Sequence, residues 1–157
     1  MERYPMTPEG FEALNAELKR LSGPERLQVS REIETAREHG DLKENAEYHA
    51  AKEKQGQMEA RIAHLEGMIA RAEVIDRSQL GGDRVRFGAR VHLEDLDNGE
   101  AKIYRIVGGE EADVKTGTIS VTSPVARALI NHEVGDEVKV KTPGGMRAYE
   151  ITDIEWS

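Results

Sequence analysis

Apolar residues recur with helical spacing through the first third of the chain. Residues 7–38 place them three or four apart, which predicts one helical face. The apolar positions are Phe11, Leu14, Leu18, Leu21, Val29, Ile33 and Ala36. An eight-residue step separates Leu21 from Val29, and Gly23-Pro24 lies within it. We therefore predict a kink or a local change in supercoil at that point.

Residues 44–75 carry a more regular stripe, in which steps of three and four alternate as in a coiled coil. Its positions are Tyr48, Ala51, Gln55, Met58, Ile62, Leu65, Ile69 and Ala72. Two such stripes joined by a short turn predict an antiparallel helical hairpin, with arms of about 30 residues that extend roughly 45 Å. A dimerising coiled coil is the alternative interpretation of the same pattern.

After Asp76 the pattern changes to short β-type segments. These are Val91 with Leu93, and 102–107, 118–121, 137–141 and 147–156. Asn98-Gly99 predicts a hairpin turn. Residues 123–130 predict one short helix, with Ser123 as N-cap and Pro124 at its first position. We thus predict an α+β protein: a helical hairpin (1–76), a linker (77–83), and a small antiparallel sheet with one helix (84–157).

Composition narrows the function classes. The formal net charge of −8 argues against a general nucleic-acid or membrane binder, although a local positive site remains compatible with it. The absence of cysteine excludes disulfides and zinc–thiolate sites and fits a cytoplasmic protein. The five histidines are scattered, and we expect His39 and His49 to be solvated rather than to act as ligands.

The predicted turn of the hairpin contains two carboxylates, Asp41 and Glu44. One interpretation is structural: Asp41 and Glu44 have the spacing of a capping box, and Gly40 suits the end of the preceding helix. The other interpretation is a metal site at the far end of a narrow rod, flanked by Arg37 and Lys52. Because Mg²⁺ requires six oxygen ligands, two exposed carboxylates would need a partner macromolecule to complete the shell.

Several stretches resemble the Gre family of bacterial transcript cleavage factors across essentially the whole chain. The most specific is AREHGDLKENAEYHAAKEKQG (36–56). The others are YPMTPEG (4–10), YRIVGGEEAD (104–113), ISVTSPVARALI (119–130) and VKTPGG (140–145). The stretch SGPER (22–26) departs from the family, which usually has two basic residues before this proline.

The resemblance implies a coiled-coil hairpin that enters the secondary channel of bacterial RNA polymerase, and an FKBP-like domain that grips the channel rim. It implies that Asp41 and Glu44 help the polymerase hold a second Mg²⁺ and a water, so that backtracked RNA is cleaved near its 3′ end. By the same resemblance Arg37 and Lys52 contact the extruded RNA, and Ser123 and Pro124 meet the polymerase. We expect the protein to act as a monomer and without a membrane.

Two alternatives share this architecture. A peptidyl-prolyl isomerase would need clustered aromatic residues, whereas the second half spreads Phe87, Tyr104, Tyr149 and Trp156 over different elements. A regulator that blocks the polymerase channel without promoting cleavage would not need both acids. The presence of Asp41 and Glu44 therefore favours cleavage.

Overall fold

The chain forms two compact units. The computed structural model describes residues 2–38, 40 and 45–156. The hairpin unit consists of Met1–Glu2 and Phe11–Ala72, and the sheet unit consists of Arg3–Gly10 and Glu73–Ser157. These units differ from the predicted bounds, because residues 3–10 group with the sheet unit and because the predicted linker 77–83 is part of it.

The elements combine helices and strands, which confirms the α+β class. The helices are α1 (Pro8–Arg20), α2 (Arg26–Arg37), α3 (Ala46–Ala70) and α4 (Pro124–Leu129). The strands are β1 (Tyr4–Met6), β2 (Ala72–Val74), β3 (Arg90–Asp95), β4 (Ala101–Val107), β5 (Thr118–Ser120), β6 (Glu137–Thr142) and β7 (Gly145–Glu155). The described end of α2 and the start of α3 border the predicted turn.

A π-helical segment, Leu21–Glu25, joins α1 to α2. The backbone N–H of Arg26 donates to the carbonyl of Leu21, five residues earlier, which is the hydrogen bond that defines a π-helix. Because this turn contains more residues than an α-helical turn, it absorbs the eight-residue step, and both Leu21 and Val29 remain buried. Pro24 lies inside the segment. The predicted change in winding is therefore confirmed.

The core of the hairpin unit is a single seam of apolar side chains. Its buried residues are Leu14, Leu21, Val29, Ala36, Ala51, Met58, Ile62, Leu65 and Met68. Met68 is buried, whereas Ile69, which the stripe predicted to be in the seam, is only half buried. Toward the turn the seam narrows to Ala36 and Ala51, and small side chains let the two backbones approach closely.

Ion pairs along the outside of the hairpin connect its two arms. They are Arg61–Glu17 (2.9 Å), Arg26–Glu59 (2.8 Å) and Lys54–Glu32 (3.3 Å). The hydrogen bond from Arg61 holds the pKa of Glu17 below its usual value, although burial opposes this shift. Arg26 lowers the pKa of Glu59 in the same way. Because these side chains are partly exposed, water screens their charges and each pair contributes little to stability.

The second helix is shorter than the predicted segment 44–75. The helix α3 begins at Ala46, with the side chain of Asn45 accepting a hydrogen bond from the N–H of Tyr48. Asn45 thus caps the described start of α3, whereas Asp41, the N-cap in the capping-box interpretation, lies outside the described residues. At its other end α3 stops at Ala70, and the next residues form β2, which pairs with β1 in a two-stranded sheet.

The main sheet has five strands in the order β5-β4-β3-β7-β6. The prediction of a purely antiparallel sheet is wrong, because β5 runs parallel to β4. The chain leaves β4 at Val107 and returns alongside it through a loop, so that Gly117 accepts a hydrogen bond from Arg105 (2.9 Å). The remaining pairs are antiparallel. The core side chains include Val91, Leu93, Ile106, Ile119, Leu129, Val140 and Ile151.

Asp95 organises the turn between β3 and β4. Its carboxylate is buried (2% exposed) and accepts hydrogen bonds from the N–H groups of Asp97 (2.8 Å) and Asn98 (3.4 Å). Arg147 lies 3.5 Å from the second oxygen. Gly99 takes a φ of +74°, which favours glycine. The hairpin predicted at Asn98-Gly99 is thus confirmed, with a loop longer than two residues.

Glu111 holds residues 3–10 against the rest of the sheet unit. Its carboxylate accepts hydrogen bonds from the backbone N–H groups of Thr7 (3.1 Å) and Gly108 (3.1 Å) and from the Thr7 hydroxyl. The Thr7 hydroxyl oxygen in turn accepts from the N–H of Gly10 (3.0 Å), which makes Thr7 the N-cap of α1. A Cβ at Gly10 would lie 2.2 Å from the Glu111 carboxyl carbon, so this contact requires glycine.

Candidate functional site

The side chain of Asn45 forms hydrogen bonds with both helices that border the turn of the hairpin. Its carbonyl oxygen caps α3 by accepting from the N–H of Tyr48 (3.0 Å), while its amide donates to the carbonyl of Ala36 in the last turn of α2. The two helix ends bordering the turn are therefore joined by one residue. Because the short amide reaches both, Asn45 fixes where the turn starts and ends.

The two carboxylates predicted to act at the turn, Asp41 and Glu44, lie outside the described residues. The residue before them, Gly40, has a φ of +106°, and its N–H lies 3.5 Å from the carbonyl of Arg37. This conformation favours glycine, as predicted, but Glu38 is the C-cap of α2, so Gly40 lies two residues beyond the cap rather than directly after it.

The two predicted cationic residues lie on the arms that lead into the turn. Arg37 is exposed in the last turn of α2, where a positive charge also suits the helix C-terminus. Lys52 is exposed in the second turn of α3, and its ammonium donates to the side chain of Gln55 (3.1 Å). Both cations are thus accessible to a ligand.

The predicted partner-binding residues Ser123 and Pro124 start the short helix α4. The hydroxyl of Ser123 accepts from the N–H of Ala126 (3.2 Å), which confirms it as an N-cap, and Pro124 occupies the first turn and is exposed. Capping therefore accounts for Ser123 without a partner. Exposed Pro124 and the exposed Arg127 beside it remain available for contact.

The described part of the chain holds one group of three ligating side chains, and it belongs to the sheet unit: His92, Asp153 and Glu155. No helix within that part has the length and apolar character to cross a membrane. Phe87 lines a small pocket of about 90 Å³ with Leu80 and Arg105, whereas Tyr149 is buried in the core.

Family models match both halves of the chain. Residues 4–74 match the N-terminal model described as "Transcription elongation factor, N-terminal". Residues 80–156 match the model described as "Transcription elongation factor, GreA/GreB, C-term". The chain belongs to the GreA/GreB family of transcription elongation factors.

Individual relatives agree with this membership along the full length. A protein of Phenylobacterium zucineum named transcription elongation factor GreA is 60% identical over 156 residues, which is 99% of each chain. A GreA of Hyphomonas neptunium is 58% identical over 154 residues, 98% of each chain. Among solved structures, GreA factor homolog 1 (Gfh1) of Thermus thermophilus is 29% identical over 98% of this chain and 99% of that one, with a TM-score of 0.46.

Sequence reasoning missed Asn45 and Glu111. Asparagine is among the strongest N-caps, so Asn45 carried a signal that the Asp41 and Glu44 spacing obscured. Glu111 carried no clear signal, because Gly108 is its one nearby partner and Thr7, which it holds, lies 104 residues earlier. In this chain, Asn45 joins the two helix ends that border the turn, and Glu111 holds residues 3–10 in the sheet unit.

Proposed function

We propose that this protein enters the secondary channel of bacterial RNA polymerase and stimulates hydrolytic cleavage of backtracked nascent RNA. The match of both halves of the chain to GreA/GreB elongation-factor models is the observation that carries this proposal. The protein acts as a monomer and is not itself a nuclease. It supplies acidic residues to the polymerase, which performs the hydrolysis and regains a usable RNA 3′ end.

The shape of the hairpin unit supports a probe that reaches into a channel. Its arms hold a single seam, and near the turn that seam contains only small side chains, Ala36 and Ala51. Such a rod is narrow where it must pass through a confined space. Its arms are kept together by the ion pairs of Glu17, Glu32 and Glu59 and by Asn45 at the turn.

Asp41 and Glu44 are proposed to help hold Mg²⁺ jointly with the polymerase. Two carboxylates supply too few of the six oxygen ligands that Mg²⁺ requires, which favours an ion whose shell is completed by a partner. When bound, Mg²⁺ supplies a water of lowered pKa and stabilises charge on the leaving oxygen. The chain's own part is to bring two carboxylates to that position.

Arg37 and Lys52 are proposed to contact the phosphates of the extruded RNA. Both are exposed on the arms that lead into the turn. Lysine at position 52 acts as a compact point charge, whereas arginine at position 37 can bind a phosphate through two N–H groups. In the sheet unit, Pro124 and Arg127 are proposed to lie on the surface that meets the channel rim.

The decisive experiment uses the double variant Asp41→Asn/Glu44→Gln with a stalled, backtracked elongation complex. Asparagine and glutamine keep the shape of the side chains but are far poorer Mg²⁺ ligands. We expect RNA cleavage to fall by on the order of 10²-fold, which corresponds to roughly 3 kcal/mol of transition-state stabilisation. Added Mg²⁺ should restore part of the loss. The melting temperature should hardly change, because Asn45 caps α3.

A matched control removes two other negative charges from the end of α2 through Glu34→Gln/Glu38→Gln, both exposed. Cleavage should then stay close to the parent level. Equal cleavage by the Asp41/Glu44 variant and the parent would refute the metal role. If the parent binds polymerase and slows it without shortening the RNA, the protein is a channel-blocking regulator. Turnover of a proline peptide would instead indicate an isomerase.

A further inference from the structure

A β-bulge in the last strand changes which of its residues face outward. His92 pairs with Asp153 across β3 and β7, but the next residue, Leu93, pairs with Ile151, so that Thr152 is an extra residue. Strict alternation from the buried Ile151 would turn Asp153 into the core. The bulge instead places it on the outer face, while Ile154 packs against the core cluster.

The outer face then brings three ligating side chains together. Residues directly opposite each other in an antiparallel pair share a face, so His92 stands beside Asp153. Glu155 stands two pairs further along, opposite Arg90, and therefore on the same face. The Nε2 atom of His92 lies 2.7 Å from the Oε1 atom of Glu155. One ligand atom from each of His92, Asp153 and Glu155 lies within 4.8 Å of the others.

We propose that His92, Asp153 and Glu155 bind a divalent transition metal of the Zn²⁺ class. Zn²⁺ bonds to histidine nitrogen and carboxylate oxygen are about 2.0–2.2 Å long, so tetrahedral ligand atoms lie about 3.4 Å apart. The His92–Glu155 separation of 2.7 Å is shorter than this spacing and the others do not exceed 4.8 Å, so small rotations about side-chain bonds would bring the ligand atoms to it. One imidazole with two carboxylates favours Zn²⁺, Co²⁺ or Ni²⁺ over Mg²⁺ or Ca²⁺, which prefer oxygen ligands alone.

The surroundings of the site fit a cation held at the surface. His92 is a quarter exposed and Glu155 about two-fifths, so an ion can enter without unfolding and a fourth position stays open to water or another ligand. The two carboxylates bring two negative charges, and Arg90, 3.9 Å from Glu155, offsets one of them. Asp153 is held in place because its Oδ1 accepts from the N–H of Ile154 (2.9 Å). The bound metal would join β3 to β7 near the end of the sheet.

The test is calorimetric titration of the chelator-treated full chain with ZnCl₂ and, separately, CoCl₂. The parent for this test carries Asp41→Asn/Glu44→Gln, so that the turn carboxylates do not contribute. We expect one ion per chain and a visible Co²⁺ absorption band. His92→Gln, Glu155→Gln and Asp153→Asn should each lower the association constant at least about tenfold.

A matched control is His132→Gln, since His132 also contacts a carboxylate, Asp136 (3.1 Å), but belongs to no group of three ligands within the described part of the chain. This control should bind as the parent does. The proposal is overturned if the parent takes up no ion, if the His92 and Glu155 variants bind as tightly as the parent, or if His132→Gln weakens binding as much as they do.

Discussion

The side-chain amide of Asn45 donates a hydrogen bond to the backbone carbonyl of Ala36, so one residue both caps α3 and holds the end of α2. Asn45→Asp should keep the cap, because aspartate accepts as well as asparagine, but lose the donor. We expect a loss of about 1 kcal/mol for Asn45→Asp and about 2 kcal/mol for Asn45→Ala. Hydrogen exchange of the amides in the last turn of α2 and the first turn of α3 measures both.

The control for this prediction is Asn15→Ala. Asn15 is exposed on α1 and its amide bonds only the carbonyl of Phe11, within the same helix. Exchange near the turn should not respond to it. Equal protection at the turn in Asn45→Ala and the parent would contradict the role assigned to Asn45.

Gly10→Ala should destabilise the sheet unit, although alanine normally favours a helix. The new Cβ would displace the Glu111 carboxylate from Thr7 and Gly108. We expect a loss of about 1–3 kcal/mol, since buried donors lose their acceptor. In a Glu111→Ala background the same change should be neutral or stabilising, because the clash is gone. The single tryptophan, Trp156, lies in the sheet unit and reports its unfolding by fluorescence.

Gly56→Ala is the matched control for this cycle. Gly56 lies within α3, and a Cβ there meets nothing within 4 Å. This change should stabilise the helix by about 0.5–1 kcal/mol. Additive effects of the Gly10 and Glu111 substitutions would contradict the proposed contact.

The buried carboxylate of Asp95 should tolerate loss of its charge better than loss of its oxygens. Asp95→Asn keeps an acceptor for the N–H groups of Asp97 and Asn98 but weakens the pair with Arg147. Asp95→Ala leaves all three groups without that partner, and we expect it to cost about 2–4 kcal/mol. Urea unfolding, monitored by the fluorescence of Trp156, ranks the two variants by their free energy of unfolding. Asp97→Asn, at an exposed position, should have little effect.

The pair of Glu17 and Arg61 should make the hairpin unit less stable in acid. Because the pKa of Glu17 is lowered in the folded state, its contribution is present above the unfolded value near 4.5 and is lost as pH falls through the folded value. Glu17→Gln should cost up to about 1 kcal/mol at pH 7 and less at pH 3. Helical circular dichroism during melting at the two pH values tests this. Glu12→Gln, exposed on the same helix, should show no such difference.

Arg37→Glu should weaken RNA cleavage if the proposed function holds, because it places a negative charge beside phosphates. The defect should depend on salt concentration, since screening weakens an exposed charge. Arg31→Glu makes the same charge change six residues earlier on α2 and should have a smaller effect. Equal activity of the two variants at low salt would indicate that Arg37 is only part of the solvated surface.

Periodicity predicted the elements that bury one long face. The stripe from Ala51 to Leu65 identified α3, and the segments 102–107 and 137–141 fell within β4 and β6. A long periodic pattern predicts an element correctly because many residues place their apolar side chains on the same face. The three-residue strands β1 and β2 carry no such pattern, and their partners lie about seventy residues apart in sequence.

The candidate sites also divide into residues with a local sequence signal and residues whose grouping depends on strand pairing. Ser123 and Gly40 were predicted because capping and positive φ depend on local chemistry. The grouping of His92 with Asp153 was missed because a bulge reverses the alternation that sequence reasoning assumes. The bulge can be recognised in the sequence by the three-residue step between the inward-facing residues Ile151 and Ile154, where strict alternation would give a step of two.

The grouping of residues 3–10 with 73–157 has a consequence for synthesis on the ribosome. The first segment of the sheet unit leaves the exit tunnel before the hairpin, but its partners Gly108 and Glu111 are translated about a hundred residues later. The helical arms can pair as soon as residue 72 has emerged, while Thr7 must wait for Glu111. A gene fragment that starts at residue 77 would encode the five strands of the main sheet without the segment that Glu111 binds. The hairpin is therefore an insertion within a discontinuous domain, and an isolated sheet unit should be made by joining residue 10 to residue 73 through a short linker.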